Sequence, residues 1–243
     1  MDMESFGFTE ILAVAESVLG LAALLVALLG GVTILQRRSD GAGRLMGASA
    51  LTLFVGFALY FVPRALAGLA GMESGFWLSA GRMAAALAVT VFCILLSLLW
   101  EKLYAQKNGF FAEAHVRELS GARALTCLFP VFVRLSARMQ GEKTDPMADV
   151  TGLEALILPA VRGVTLLAVA AIVAWHWRKT RSALPTLRHV WLLLSLAALF
   201  EIAADFGAAY APATALLCIP ELVCLLWIVT MFVRFAGETG ERH

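Results

Sequence analysis

The sequence carries none of the common catalytic signatures. It has no His-Glu-x-x-His, no Gly-x-Ser-x-Gly, no Walker loop and no Gly-x-Gly-x-x-Gly after a strand. The zinc-hydrolase, serine-hydrolase, nucleotide-hydrolysing and dinucleotide-binding classes therefore lose their usual support. Cysteine is sparse. Cys93, Cys127, Cys218 and Cys224 all sit in apolar segments, and none belongs to a Cys-x-x-Cys or a Cys/His metal spacing. Cys218 and Cys224 are six residues apart on one stretch, too far to bridge each other. All four are expected as small core hydrophobes. Positive charge is missing from Met1–Glu10, which holds Asp2, Glu4 and Glu10. A secretory leader starts with a basic region, and the apolar run that follows here is too long for its core. The expectation is an uncleaved N-terminus that leads into a membrane helix. Net charge is only +1, so nothing in the total points to nucleic acid.

What fills the chain instead is apolar. Of its 243 residues 60% are hydrophobic, and the mean hydropathy is +0.83. A soluble domain holds about 45–50%. The excess lies in segments of roughly 20 residues, the length a helix needs to cross ~30 Å of hydrocarbon. Seven spans are expected, over residues 11–35, 45–68, 76–99, 122–138, 153–177, 188–210 and 213–235. The fourth is the weakest. Its uncharged part is only Ala124–Val133, it contains Pro130, and Arg123, Arg134 and Arg138 flank it. Just before it, Phe110–Ser120 mixes polar and apolar residues and is expected as a short helix on the membrane surface. Gln140–Gly152 is the most polar stretch and reads as a loop.

Charge asymmetry decides the fourth segment. With seven spans, residues 36–44, 101–123, 178–189 and 234–243 fall on one side and carry thirteen Lys/Arg. Residues 1–9, 69–75, 140–152 and 211–212 fall on the other and carry only Lys143. Cytoplasmic loops collect cations, so the N-terminus is expected outside and the C-terminus inside. Trp100, Tyr104, Trp175, Trp177 and Trp191 then mark the inner interface, and Tyr60, Trp77 and Tyr210 the outer one. The expected fold class is an all-α integral membrane protein of the bacterial inner membrane, multi-pass, as a single domain over residues 1–243.

A faint repeat is present. Glu10–Arg64 and Glu154–Ala208 align without gaps at an offset of 144, matching Glu10 with Glu154, Arg37 with Arg181 and Arg44 with Arg188. Three helices, an odd fourth and three more would make a parallel 3+1+3 repeat. The small sugar transporters called SWEETs share that plan, but their proline–glutamine signature is missing here. Microbial rhodopsins share the seven-helix, N-out plan. The last segment, Ala213–Phe235, has no lysine for a retinal Schiff base, which excludes that chemistry.

The chemistry-bearing residues are the few charges inside the spans. Glu201 and Asp205 stand four residues apart in a run otherwise uncharged from Val190 to Ala211, on one face of a helix. At 1.5 Å per residue, Glu16 and Arg82 lie roughly 9 Å below the outer surface, Arg162, Glu201 and Glu221 roughly 13 Å, and Asp205 about 8 Å. Arg64 and Arg134 belong at the outer rim. Four acids and four arginines therefore share the outer half. Such charges are costly in lipid and mark either a site or a packing device. A balanced set of salt bridges would fix helix packing. The functional alternative is an outward-facing polar cavity lined by Glu16, Arg82, Arg162, Glu201, Asp205 and Glu221. Pro159 before Arg162 and Pro220 before Glu221 place helix-weakening residues beside two of these charges.

The expected function is that of a non-enzymatic small transporter or channel for a polar or charged solute or for protons. Arg82 and Arg162 would hold an anionic group, and Glu201, Asp205 and Glu221 a cationic one or coupling protons. The alternative is a receptor-like or scaffold subunit that senses an extracytoplasmic ligand and docks a partner on its basic inner face; a homo-oligomer is a further partner option. An intramembrane hydrolase using Glu201, Asp205 and Glu221 ranks below both. No cofactor is expected. His176 and His189 flank the inner ends of segments 5 and 6 and read as interfacial residues in preference to haem ligands. The expected surroundings are a lipid bilayer and a small solute.

Overall fold

The structure is a computed structural model that describes residues 8–70, 75–104, 110–140, 154–179, 187, 189–207 and 218–240. Among the described residues the chain forms seven α-helices and no strand. They are α1 (Phe8–Arg37), α2 (Gly41–Ala70), α3 (Gly75–Tyr104), α4 (Phe110–Met139), α5 (Glu154–Lys179), α6 (Val190–Gly207) and α7 (Cys218–Gly240). Each packs on the next in sequence, α7 closes on α1, and α2 also reaches α7.

Four helices contain stretches long and apolar enough to cross a membrane: Ala15–Arg37, Gly41–Pro63, Gly81–Trp100 and Cys218–Glu238. A fifth, α4, qualifies if its two bent halves count as one span. The apolar parts of α5 and α6, Ala160–Ile172 and Val190–Ala204, are shorter. Large apolar side chains face outward on all seven helices, among them Leu25 and Leu29 on α1, Leu59 on α2, Val91 on α3, Phe132 on α4, Val164 on α5, Leu199 on α6 and Trp227 on α7. A soluble domain would turn such a belt inward.

The fourth segment departs from the sequence reading. Phe110–Ser120 is not a separate surface helix but the beginning of α4. Gly121 and Ala122 do not interrupt it, since one glycine in a helix costs only about 1 kcal/mol. The interruption comes later. Glu118–Thr126 and Val131–Ala137 are bent by 48°, and Pro130 lies between them. Proline has no N–H to donate to the carbonyl four residues back, here that of Thr126.

Small residues let the first three helices approach closely. A Cβ on Gly56 would collide with that of Ala88, and one on Gly20 would lie 2.5 Å from the Phe61 ring. Phe61 stacks with Phe57 at 6.3 Å and meets Tyr60 edge-on at 4.9 Å. Without a hydrophobic force between helices in lipid, such close packing is what holds them. Gly163 does the same for α5 against Ile202 of α6.

One end of the bundle is fixed by the α1–α2 turn. Arg38 grips Asp40 with two hydrogen bonds of 2.8 Å, from Nε and Nη2. Asp40 Oδ1 also accepts the Gly43 N–H at 3.0 Å, which caps α2. The Arg38 guanidinium lies 5.2 Å from the centroid of the Phe235 ring, near the end of α7, and Gly41 abuts the Lys102 side chain near the end of α3. The turn and the C-terminal ends of α3 and α7 thus share one end, and this end is basic.

Burial pushes the Asp40 carboxyl up, but the Arg38 and Gly43 hydrogen bonds outweigh it and hold the pKa below its ordinary 3.8. A lowered carboxylate pKa gives stability that is present above the unfolded value and lost as pH falls through the folded one. Asp40→Asn should therefore reduce stability slightly near neutral pH and narrow to no difference in strong acid, as thermal melting at a series of pH values would show.

Candidate functional site

Two groups of interior polar side chains carry the candidate site. The first lies at the end opposite the basic turn. Glu16 is on the third turn of α1 and Tyr60 is two-thirds along α2, so the antiparallel pair sets them level. The Tyr60 hydroxyl donates to Glu16 Oε1 at 3.1 Å in the interior. Cys218, at the start of α7, lies beside Tyr60 and within electrostatic reach of Glu221, Glu16 and Arg82. Glu16 and Glu221 are 1% and 6% exposed, whereas Arg82 is exposed at the start of α3. Four helices thus converge on two buried acids. Tyr60→Phe would remove this donor to a buried Glu16 oxygen, and one such hydrogen bond contributes about 0.5–1.5 kcal/mol. The variant should melt measurably earlier than wild type while keeping its helix content.

The second group ties α4, α5 and α6 together. Arg123, midway along α4, is 1% exposed, and Glu201 on α6 is 6% exposed. Arg123 Nη2 donates to Glu201 Oε1 in a buried salt bridge. Its other terminal nitrogen, Nη1, donates to the backbone carbonyl of Arg162 at 2.8 Å. The Thr165 hydroxyl donates to that same carbonyl at 2.7 Å. Glu201 Oε2 is buried and has no hydrogen-bond partner among the described residues. Nor has the Ser120 hydroxyl, one turn before Arg123 on α4. Cys93 of α3 lies within electrostatic reach of both Arg123 and Glu201.

The residues named from sequence are placed as follows. Glu16 and Glu221 come together near Cys218, with Arg82 at the exposed edge of that group. Glu201 and Arg162 come together through Arg123, but Arg162 contributes its carbonyl, and its side chain is half-buried. Asp205 is on α6, one turn from Glu201, and its side chain lies outside the described residues, as do those of Arg64 on α2 and Arg134 on α4. Of the two histidines, His189 is exposed just before α6, and the side chain of His176 is outside the described residues. No cluster of three His, Cys, Asp or Glu able to hold a metal ion occurs among the described residues.

Three residues differ from their sequence-based roles. Arg123 was expected among the thirteen cations of the inner face, yet it is a core residue. The signal was available: Ser120, Arg123 and Cys127 recur at three- and four-residue spacing, which puts Arg123 on one helix face with two small residues. Tyr60 was expected as an outer interface anchor and is 2% exposed, bonded to Glu16. Trp100 was expected at the inner interface and is also buried.

The fold and its outward apolar surface define an all-α membrane protein with four candidate spans, or five with the bent α4. Comparison of the chain with protein-family models, with curated proteins and with solved structures finds no match in any of the three.

Proposed function

We propose that this chain is a seven-span membrane protein that moves a small polar or charged solute, or protons, through its helix ring. The observation that carries the reading is the burial of three carboxylates, Glu16, Glu201 and Glu221, within an apolar bundle. Interior ionisable groups in membrane proteins mark ion and substrate pathways, and each is held by a partner or reached by water. Glu201 combines burial with an oxygen that makes no hydrogen bond among the described residues. A proton or a solute group can complete such an atom.

The seven-span reading draws on helix length and surface. With 26 residues, α5 is about 39 Å long at 1.5 Å per residue, enough for ~30 Å of hydrocarbon. Its outward Ile157, Val161 and Val164 suit lipid, as do Leu192, Leu196 and Leu199 on α6. The loop charges favour an inner-membrane protein with its N-terminus outside. Contacts that run from α1 to α3 and from α5 to α7, with α4 between α3 and α5, are compatible with a parallel 3+1+3 repeat. In this reading Glu201, Asp205 and Glu221 carry protons or a cationic group, Arg82 and Arg162 favour an anionic group, and Arg64 and Arg134 line the rim. The second reading, a receptor-like or scaffold subunit, is favoured by the basic end built from Arg38 and Lys102, which would dock an acidic partner.

Purified protein in liposomes provides the test. Glu201→Gln, which cannot carry a proton at this position, should reduce solute-driven proton flux. Flux that is unchanged in Glu201→Gln and in Asp205→Asn would remove the relay, and absence of flux for any solute together with capture of a partner would favour the subunit reading.

A further inference from the structure

We infer that the basic end of the bundle is a docking surface for the phosphate headgroups of anionic phospholipid, built from Arg37, Arg44, Lys102 and Arg234. The inference draws on α1, α2, α3 and α7, the helices that hold the four long apolar spans, and not on the transport reading.

The four cations share a depth. Arg37 closes the span Ala15–Arg37, and Arg44 is three residues inside the span that opens at Gly41. Lys102 stands two residues beyond Trp100, where the α3 span ends, and Arg234 four residues before Glu238, where the α7 span ends. At 1.5 Å per residue, all four lie within about 6 Å of a span end. Lipid phosphates lie at that level, and long basic side chains extend along the helix to reach them.

They also face lipid. All four are exposed. Arg44 shares a helix face with the outward Val55 of α2, Lys102 with Val91 of α3, and Arg234 with Trp227 of α7. Each of these three cations therefore ends a stripe that acyl chains would cover. A lipid whose chains lie on the stripe has its phosphate beside the cation.

The side chains meet in pairs across helix junctions. The Lys102 ammonium lies against Gly41, the first residue of α2, and Arg44 is one turn further along that helix. Arg37 Nη1 lies against Gly237 of α7, 3.3 Å from where a Cβ would stand, and Arg234 is one turn before Gly237. Each crossing passes over a glycine, so the side chain lies close to the neighbouring helix. Two cations from two helices thus come to each junction. An arginine offers a planar fork that matches phosphate, and a lysine adds a point charge.

Little of this charge is neutralised within the protein. Arg38 is the cation that Asp40 engages, and Asp40 also caps α2. Arg37, Arg44, Lys102 and Arg234 make no salt bridge among the described residues. The acids at this end are Asp40, the exposed Glu238 of α7, and Glu101, whose side chain lies outside the described residues. The five cations outnumber them. A zwitterionic headgroup brings a cation of its own, so an anionic one fits better. An acidic protein would have to reach Arg44 and Arg234 within the span bounds, where lipid is already present.

The test melts the full-length protein in neutral detergent with increasing phosphatidylglycerol in the micelle. Parallel series use phosphatidylcholine, inorganic phosphate and polyglutamate. A ligand that binds the folded state alone raises the melting temperature. Phosphatidylglycerol should do so, and the other three should not. The half-saturating phosphatidylglycerol content should rise about fivefold for each cation removed, in Arg44→Gln with Lys102→Gln and in Arg37→Gln with Arg234→Gln. All four side chains are exposed, so these variants should melt cooperatively without lipid. Lys102→Arg keeps the charge and should bind as wild type does. Arg178→Gln with Lys179→Gln removes the same charge from α5, which packs on α4 and α6, and should leave binding unchanged.

Equal stabilisation by phosphatidylcholine would overturn the inference, as would a preference for phosphatidylglycerol that survives removal of all four cations. So would an equal loss in the α5 double variant, which would reduce the effect to net charge. Full stabilisation by inorganic phosphate would make the surface a simple anion site. Stabilisation by polyglutamate and none by phosphatidylglycerol would assign it to an acidic protein.

Discussion

Replacing Arg123 with alanine should destabilise the protein by about 3–5 kcal/mol, the cost of breaking a buried ion pair and leaving one charge behind. The loss has three parts. Glu201 would stay in the interior without its guanidinium. The Arg162 carbonyl would keep only the Thr165 hydroxyl of its two side-chain donors. A large, almost fully buried side chain would leave a void between α4, α5 and α6. Breaking a pair differs from removing it. Replacing both partners together, Arg123→Met with Glu201→Leu, should lie within about 1 kcal/mol of wild type or above it, since the desolvation penalty of both ions disappears. Thermal melting of the purified variants in one detergent compares them directly. An Arg123→Ala protein that melts with the wild type would mean that water reaches the pair and that its burial carries no weight.

Gly81→Leu should cost about 3 kcal/mol or more, at the upper end for overpacked cores. A Cβ at Gly81 of α3 would stand 2.7 Å from the Leu59 carbonyl oxygen and 2.9 Å from the Tyr60 Cα. Both are main-chain atoms of α2. A flexible side chain could swing away, but helical backbone can yield only by moving the whole helix. Tyr60 holds Glu16, so the displacement would also disturb the first polar group. Gly121 on α4 is the contrasting position. Nothing lies within 4 Å of a Cβ there, and Gly121→Ala should stabilise by about 1 kcal/mol through helix propensity alone. Melting of the two variants side by side checks both signs. Equal effects would contradict the close approach of α2 and α3.

The sequence made the helices legible where apolar length alone decides them. Residues 11–35, 45–68 and 76–99 lie within α1, α2 and α3. The buried acids were legible too, because a lone carboxylate in an apolar run stands out by its cost. Their partners were not. Which residue meets Glu16 or Glu201 depends on how each helix is rotated about its axis, and each residue turns that axis by about 100°. Depth arithmetic carries no such information. It set Arg123 at the start of a short fourth span, whereas α4 begins at Phe110 and brings Arg123 to mid-helix. It also set Tyr60 at an interface, where an aromatic of its kind is commonly found, and missed that Glu16 draws it inward. Of the six residues expected to line one cavity, Glu16, Glu221 and Arg82 lie near Cys218, and Glu201 meets the Arg162 carbonyl through Arg123.

Everything assigned to the Arg123–Glu201 pair depends on α4, α5 and α6 lying in the bilayer together with the four longest apolar spans. Cysteine accessibility in intact cells tests this most directly. In a background with Cys93, Cys127, Cys218 and Cys224 replaced, Lys143→Cys and Lys179→Cys flank α5. A membrane-impermeant thiol reagent should label Lys143→Cys from outside and Lys179→Cys only after permeabilisation. Labelling of both from the same side would contradict the seven-span ring and remove the membrane setting of the buried pair.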